Sequence, residues 1–173
     1  IVSRATNQTF ADFVRSHIFQ PLGMNSSFIR ANADTLLPNV AQPYQPVEGG
    51  MAYNKNEVHS SVVGAINAYT SVEDLAKWYL NCSHPQGKLG RLIQKLDAPV
   101  QSTNGKHFEY YWGKMAIGRE FTHPERGLPI FWNYGFQGAY GTNVFRYPAQ
   151  KIIGFVLGNN NQYNGGLAHD MVD

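Results

Sequence analysis

The sequence has few features that would tie the chain together covalently, hold it in a membrane or attach it to nucleic acid. Its only cysteine, Cys82, excludes an internal disulfide and a cage of cysteine ligands around a metal. Its apolar runs are only a few residues long, far short of the ~20 residues that cross a bilayer, so we expect no membrane span. The formal net charge is only +2 and the charges are dispersed, so we do not expect nucleic acid as a partner.

Histidine is present, but without the spacing of a metal site. The histidines are scattered along the chain and form no His-x-x-x-His pair. We therefore expect no metal ion, and nothing else in the sequence indicates a cofactor. Surface or packing roles are expected for His17, His59, His84, His107, His123 and His169.

The first helix signal lies close to the start of the sequence. Thr9 followed by Asp12 is typical of an N-cap with a carboxylate at the third helical position, and apolar residues then recur at helical spacing. This pattern predicts a helix over Phe10–Phe19, ended by Pro21 and Gly23.

Two further helices are predicted downstream of a long connection. Residues Asn25–His59 are rich in Asn, Pro, Gly and Gln, which predicts an irregular surface segment. Ser71 with Asp74, or Thr70 with Glu73, is expected to cap one helix, and Leu89–Leu96 to form a shorter one ended by Pro99. Four charged residues are interpreted as caps and solvated faces: Glu57, Glu73, Asp74 and Lys77.

The remainder of the chain is rich in aromatic and β-branched residues, with short turns between the runs. This pattern predicts an antiparallel meander, with a hairpin turn at Pro148–Gln150, a turn at His123–Arg126 and a closing helix from Leu167 to Val172. Helices followed by strands in blocks indicate an α+β fold, with an antiparallel sheet flanked by helices. The predicted strands are Phe108–Gly118, Pro129–Phe136, Gly141–Tyr147 and Lys151–Gly158.

The segment Gly135–Thr142 is rich in glycine and lies between two of these strands. Glycine has no Cβ, so backbone N–H groups there could approach a substrate carbonyl closely. Taken alone, the pattern favours an ordinary β-turn.

Three segments in order along the chain resemble one enzyme superfamily. Pro21-Leu22-Gly23-Met24, the helix start within Gly64–Trp78, and Phe136–Thr142 are similar to segments of the class C β-lactamase, penicillin-binding-protein and serine-esterase superfamily (the S12 peptidase type). The last of them falls where that superfamily carries its third motif, Lys-Thr-Gly or His-x-Gly, on the strand beside the catalytic cleft. The resemblance implies a serine hydrolase that works through an acyl-enzyme on an ester, amide or β-lactam bond.

The resemblance covers only the C-terminal half of such a protein. Residues 1–173 are therefore expected to form a partial β-lactamase-like domain, and Ile1–Thr6 to be the tail of a helix already begun. No serine in the chain has a lysine three residues later, so the nucleophile motif Ser-x-x-Lys is expected on a complementary N-terminal segment, together with Tyr-x-Asn. Tyr79-Leu80-Asn81 spells the second motif, but it lies within the predicted helix and is interpreted as coincidence. This chain alone is expected to be inactive.

The resemblance also implies site residues. The backbone N–H of Ala139 would be one half of the oxyanion hole, the other half belonging to the absent serine. Phe136, Gln137, Gly138 and Asn161 would contact the substrate. Phe136 stands where the superfamily has Lys or His, which points away from carboxylate recognition and towards a neutral ester or amide.

Other interpretations remain open. The chain could belong to a catalytically inactive relative that binds a ligand or partner, or could be a self-standing interaction domain, which the uncovered sheet edge disfavours. Three Asn-x-Ser/Thr sequons indicate a secreted or extracellular glycoprotein; they begin at Asn7, Asn25 and Asn81.

Overall fold

The computed structural model describes residues 1–50, 52–56, 60–83, 87–110, 113–116, 121–125 and 127–160. These residues form two compact units. The first contains Ile1–Trp78, Gln137–Tyr140 and the segment that begins at Asn159, and the second contains Tyr79–Phe136 and Gly141–Gly158. The predicted closing helix from Leu167 to Val172 lies outside the described residues.

The first unit holds short helices and four short strands. Two strand pairs are antiparallel, β1 with β4 and β2 with β3. The elements are α1 (Val2–Thr6), α2 (Phe10–Val14) with a π-helical turn (Arg15–Phe19), β1 (Phe28–Ile29), β2 (Tyr44–Pro46), β3 (Tyr53–Lys55), β4 (Ala68–Tyr69) and the start of α3 (Val72–Ser83).

The predicted helix over Phe10–Phe19 is confirmed, with a change of type along its length. Thr9 caps it as expected, since its hydroxyl oxygen accepts the Asp12 N–H at 3.1 Å. After Val14 the helix continues as the π-helical turn, in which Gln20 N–H donates to the Arg15 carbonyl at 2.9 Å.

The core of the first unit lies along this helix. Val14, Phe19 and Met24 are buried there, and each such side chain contributes about 1.5–3 kcal/mol by leaving water. The partly buried residues packed around them are Phe10, Ile18, Leu22, Ile29 and Trp78.

The connection Asn25–His59 is more ordered than the sequence predicted. It contains β1, β2 and β3, and β1 pairs with β4 through Phe28↔Tyr69 and Ile29↔Ala68. Strands of two or three residues are too short to show an alternating pattern, so the sequence gives no signal for them. Residues 57–59, Glu57 among them, lie outside the described part.

The charged residues of α3 are not all on a solvated face as predicted, because Asp74 is buried. Of the two expected caps, Ser71 is the one that the hydrogen-bond geometry supports, since Asp74 N–H donates to its hydroxyl oxygen at 3.2 Å. The Asp74 side chain, however, is only 2% exposed. It accepts hydrogen bonds from Ser26 N–H (2.8 Å), the Ser27 hydroxyl (2.8 Å) and Lys77 Nζ (2.7 Å). The sequence could not show that this carboxylate would face the turn after the first helix.

These bonds set the charge state of Asp74. Burial pushes the pKa of the carboxyl upward, but the hydrogen bonds from Lys77, Ser27 and Ser26 outweigh it, so the pKa is lowered. Lys77 Nζ also donates to the Gly23 carbonyl at 2.6 Å. The carboxylate therefore joins the start of α3 to the turn that follows the π-helical segment.

The second unit is built on a six-stranded sheet in which the strands follow one another in chain order, β5 to β10. The predicted antiparallel meander is thus confirmed. Its elements are α4 (Gly87–Leu96), β5 (Glu109–Tyr110), β6 (Gly113–Met115), β7 (Phe121–Glu125), β8 (Leu128–Gln137), β9 (Tyr140–Tyr147) and β10 (Ile152–Gly158).

One strand prediction and one turn prediction were wrong. The single strand over Phe108–Gly118 is two short strands, β5 and β6, paired through Glu109↔Lys114. The predicted turn at His123–Arg126 is largely strand, since β7 runs to Glu125 and pairs with β8 through Pro124↔Pro129. Proline usually interrupts a ladder, but at the end of a hairpin its missing N–H costs little.

The last hairpin of the sheet turns where the sequence predicted. Lys151 N–H donates to the Pro148 carbonyl at 3.3 Å, and Lys151 adopts a left-handed φ of 58°. On one face of the sheet Ile130, Phe145 and Tyr147 form a buried cluster with Trp132 and Val156 packed against it.

The part of α3 from Tyr79 onward belongs to the second unit, where Tyr79 packs near the buried side chain of Arg146. Arg146 is 3% exposed and pairs with Asp97 at 2.7 Å. Its guanidinium lies 4.6 Å from the Phe131 ring centroid and 5.5 Å from that of Tyr79, which also packs on Phe155. Tyr79 thus has a packing role in the second unit.

Candidate active-site hairpin and an adjoining cleft

The hairpin tip between β8 and β9 carries most of the predicted site residues. Gly138 has a left-handed φ of 59°, a conformation that glycine adopts without steric cost. Ala139 follows it and is fully buried, with 0% exposure. No atom of Ala139, its N–H included, is accessible to solvent in this arrangement.

The other predicted residues differ in their surroundings. Phe136 is 46% exposed, and its ring lies edge-on to Tyr134 at 6.1 Å. Gln137 ends β8 and is half-buried. Asn161 lies outside the described residues.

The glycine before Phe136 has a packing explanation. Thr142 Oγ1 donates to the Gly135 carbonyl at 3.3 Å. A Cβ at Gly135 would lie 3.1 Å from that hydroxyl oxygen, so the two strands approach closely here because position 135 has no side chain.

The first unit contains a cleft that the sequence did not reveal. It has a volume of about 360 Å³ and is lined mainly by the connection between β1 and β2, with Lys55, Tyr69 and Tyr140 from the strands. The described residues that line the cleft do not include the predicted site residues Phe136, Gln137, Gly138 and Ala139. The apolar Leu36, Leu37 and Val40, in an otherwise polar connection, are the only sequence signal that could have indicated it.

Tyr140 joins the hairpin tip to this cleft. Its hydroxyl donates to the Ala41 carbonyl at 2.7 Å, and its ring lies edge-on to Tyr69 at 6.1 Å. Burial and the neighbouring Tyr69 raise the pKa of Tyr140, and the Arg30 charge acts in the opposite direction. Tyr140 therefore remains a neutral hydrogen-bond donor over the physiological pH range.

The segment after β10 is bonded to the same connection. Asn159 Nδ2 donates to the Gln42 carbonyl at 2.8 Å, and Tyr44 N–H donates to the Asn159 carbonyl at 2.7 Å. Asn160 forms a parallel bridge with Tyr44. The side-chain bond gives Asn159 a structural role, whereas the bridge at Asn160 involves its backbone.

The part of the chain that the structure describes holds no cluster of three or more His, Cys, Asp or Glu side chains suited to a metal ion. None of its helices combines the length and the apolar character that crossing a membrane requires.

Comparison with known proteins relates the chain to solved structures of one fold. A penicillin-binding protein homologue from Pyrococcus abyssi, described as octameric, has a TM-score of 0.78 at 20% identity, over 99% of this chain and 38% of its own. A penicillin-binding protein from Bacillus halodurans has a TM-score of 0.75 at 22% identity, over 99% and 51%. A D-amino acid amidase from Ochrobactrum anthropi SV3 has a TM-score of 0.68 at 15% identity, over 99% and 51%.

The chain thus spans about half, or less, of the length of these structures. They confirm the predicted α+β fold of the β-lactamase type. No curated protein matches the sequence. The family model described as Beta-lactamase matches residues 1–171 of the 173. The chain therefore belongs to the beta-lactamase family.

Proposed function

We propose that this chain is the C-terminal part of a serine hydrolase that acts through an acyl-enzyme on neutral esters or amides. Members of its family are serine hydrolases, penicillin-binding proteins and amidases among them. The observation that carries the proposal is the Gly138–Ala139 turn between β8 and β9, in which a left-handed glycine directly precedes the candidate oxyanion donor.

The turn would act on the charge that develops during acyl transfer. When a serine attacks an ester or amide carbonyl, its oxygen becomes an oxyanion, which preorganised N–H donors stabilise most strongly where water is excluded. The Ala139 N–H would be one such donor. Because Gly138 fixes the direction of the peptide that carries this N–H, its left-handed φ is part of the proposed machinery.

The attacking serine would come from a preceding segment that carries Ser-x-x-Lys and Tyr-x-Asn. Deprotonation by a neighbouring base activates the serine, and attack expels the alcohol or amine. Water then hydrolyses the acyl-enzyme and releases a carboxylic acid. Gln137, which ends β8 beside the turn, would hydrogen-bond the substrate, as would Asn161.

Phe136 supports the preference for neutral substrates. It is aromatic and exposed where relatives of this type carry a cation, so it offers a substrate carboxylate no charge to pair with. An ester or amide without a carboxylate beside the scissile bond makes no ion pair at this position, so an aromatic residue there does not weaken its binding.

The proposal is tested by turnover assays on the intact protein, with nitrocefin and p-nitrophenyl butyrate as substrates. We expect ester turnover that greatly exceeds nitrocefin turnover. Phe136→His should raise the turnover of carboxylate-bearing nitrocefin relative to the ester. Fast nitrocefin turnover without ester turnover would contradict the neutral preference, and no turnover of either substrate would favour the catalytically inactive relative.

A matched pair of glycine variants tests the oxyanion role. Gly138→Ala and Gly105→Ala both place a side chain at a left-handed φ, 59° and 80° respectively, at a cost of about 1–2 kcal/mol each. Only Gly138→Ala should shift the Ala139 N–H, and we expect it to lower kcat about 100-fold. Equal kcat values for the two variants would exclude the turn from the chemistry.

A further inference from the structure

The cleft of about 360 Å³ in the first unit is in the size range of small-molecule sites, about 300–1,000 Å³. Its lining combines a cationic group, phenol rings and aliphatic side chains rather than one kind of surface. Such a combination binds molecules that have a charged end and an apolar body.

Arg30 provides the charged end of the cleft. Its Nε donates to the Asn32 carbonyl at 3.3 Å and an Nη to the Ala33 carbonyl, which holds the guanidinium in place. Two of its five N–H groups are used in this way, and within the described residues Arg30 makes no ion pair. A positioned guanidinium with N–H groups to spare suits a carboxylate, which it binds with two parallel hydrogen bonds.

The phenols stand near this charge. The Arg30 guanidinium acts electrostatically on the Tyr140 hydroxyl, and Tyr140 and Tyr69 both line the cleft. Behind them, the Tyr69 ring stacks on Phe28 at 5.3 Å, so the aromatic wall is held rigidly. Rigid aromatic faces bind apolar or aromatic bodies at a low entropic cost.

Aliphatic side chains form the rest of the wall. Pro43 is buried and Leu37 and Val40 are half-buried, while Leu36 is 95% exposed. Covering this surface with an apolar ligand would remove it from water at about 25 cal/mol per Å².

The net charge of the lining limits the charge of the ligand. Arg30 and Lys55 are cations and the exposed Asp34 is a carboxylate, so the formal charges of the lining sum to +1, and Lys55 also has a partner of its own. A monoanion balances this charge, whereas a dianion would meet the Asp34 carboxylate and a cation would meet Arg30.

We propose that this cleft binds a small amphipathic monocarboxylate, with its carboxylate on Arg30 and its body against Tyr69, Tyr140 and Val40. The inference does not depend on the hydrolase activity proposed above. If that activity is also correct, the two are linked chemically, since hydrolysis of an ester or amide releases a carboxylic acid and Tyr140 directly follows Ala139 in the chain.

The test uses three probes with one body and different heads: 4-phenylbutyrate, 4-phenylbutanol and 4-phenylbutylamine. Their dissociation constants are measured by NMR titration of the intact protein at low salt. We expect 4-phenylbutyrate to bind at least about tenfold more tightly than the alcohol, because hydrogen bonds to charged groups are the strong ones. The amine should bind more weakly than the alcohol. Raising the ionic strength should weaken only the carboxylate.

Two arginine variants separate a local contact from a general charge effect. Arg30→Gln should weaken 4-phenylbutyrate about tenfold and leave the alcohol unchanged. Arg15→Gln is the matched control, because Arg15 is an exposed arginine paired with Asp12 at 2.8 Å outside the cleft, and it should change neither constant.

A third variant tests the cleft without changing Arg30, in case Arg30→Gln fails to fold. Val40→Asp leaves Arg30 intact and adds a negative charge to the wall, so it should abolish carboxylate binding while the thermal melt stays close to that of the parent. Equal affinity for acid and alcohol, loss in both arginine variants alike, or no binding of any probe would each overturn the proposal.

Discussion

Asp74 and Arg146 are both charged and almost wholly buried. Asp74 accepts hydrogen bonds from Ser26 N–H, Ser27 and Lys77, and Arg146 forms an ion pair with Asp97. Removing one member of such a network leaves the others desolvated and unpaired, which costs more than the intact interaction contributes. The sequence could not identify either residue as buried, because a charged residue at a helix start or in a strand is usually solvated.

At Asp74 this leads to a stability prediction. Asp74→Asn keeps the size of the side chain but removes the charge that Lys77, Ser27 and Ser26 N–H stabilise. We expect it to lower the free energy of unfolding of the intact protein at pH 7 by about 1–3 kcal/mol, measured by urea denaturation. Asp34→Asn, at an exposed carboxylate, is the control and should change it by less than about 0.5 kcal/mol.

The same carboxyl predicts a pH dependence. Because its pKa is lowered in the folded state, its contribution is fully present above the unfolded pKa of about 3.9 and is lost as the pH falls through the lower folded value. The unfolding free energy of the parent should therefore fall more steeply below about pH 4 than that of Asp74→Asn. If the unfolding free energies of the parent and of Asp74→Asn fell in parallel with pH, the pKa of Asp74 would be the same in the folded and unfolded states.

At the scale of elements, the sequence predicted a helix or turn correctly where all the residues that determine it are close together in the chain. Thr9 and Asp12 form a full N-cap pair, and the helix begins where they place it. The hairpin at Pro148 likewise needs only local chemistry. Strands β1 to β4 were missed because their stability comes from partners elsewhere in the chain, which a short window of sequence does not contain.

The N-cap gives a test at this scale. Thr9→Ala removes the acceptor of the Asp12 N–H and should cost about 1 kcal/mol, whereas Thr9→Ser keeps the hydroxyl and should cost little. Hydrogen exchange of the Phe13 amide, which donates to the Thr9 carbonyl at 3.0 Å, should accelerate in Thr9→Ala only. Equal acceleration in both variants would show that the cap does not hold the first turn.

At the scale of the whole molecule, the meander was predictable because short turns force consecutive strands to be neighbours. The cleft was not, because Arg30, Val40, Tyr69 and Tyr140 lie far apart in sequence and meet only in the fold. The proposed role of Ala139 rests on the resemblance, since a backbone N–H gives no signal in the side-chain pattern.

The sheet also carries a prediction about association. Among the described strands, β10 is an edge: it spans Ile152–Gly158 without proline or charge and pairs on one side only, with β9. Such an edge promotes pairing between chains. We expect residues 1–173 expressed alone to self-associate, measured by sedimentation velocity, and Leu157→Lys on β10 to reduce this.

The control for this experiment is Leu36→Lys, which adds the same charge at a 95% exposed position in the first unit and should leave association unchanged. A monomeric chain with a sharp, reversible melt would contradict the expectation.

The left-handed backbone at Gly138 restricts how substrate preference could diversify among proteins built on this hairpin. Any side chain introduced there would carry a conformational penalty before it touched a ligand. Under the proposed function, adaptation to new acyl or leaving groups would therefore fall on flanking positions such as Phe136 and Gln137, whose backbone has no positive φ.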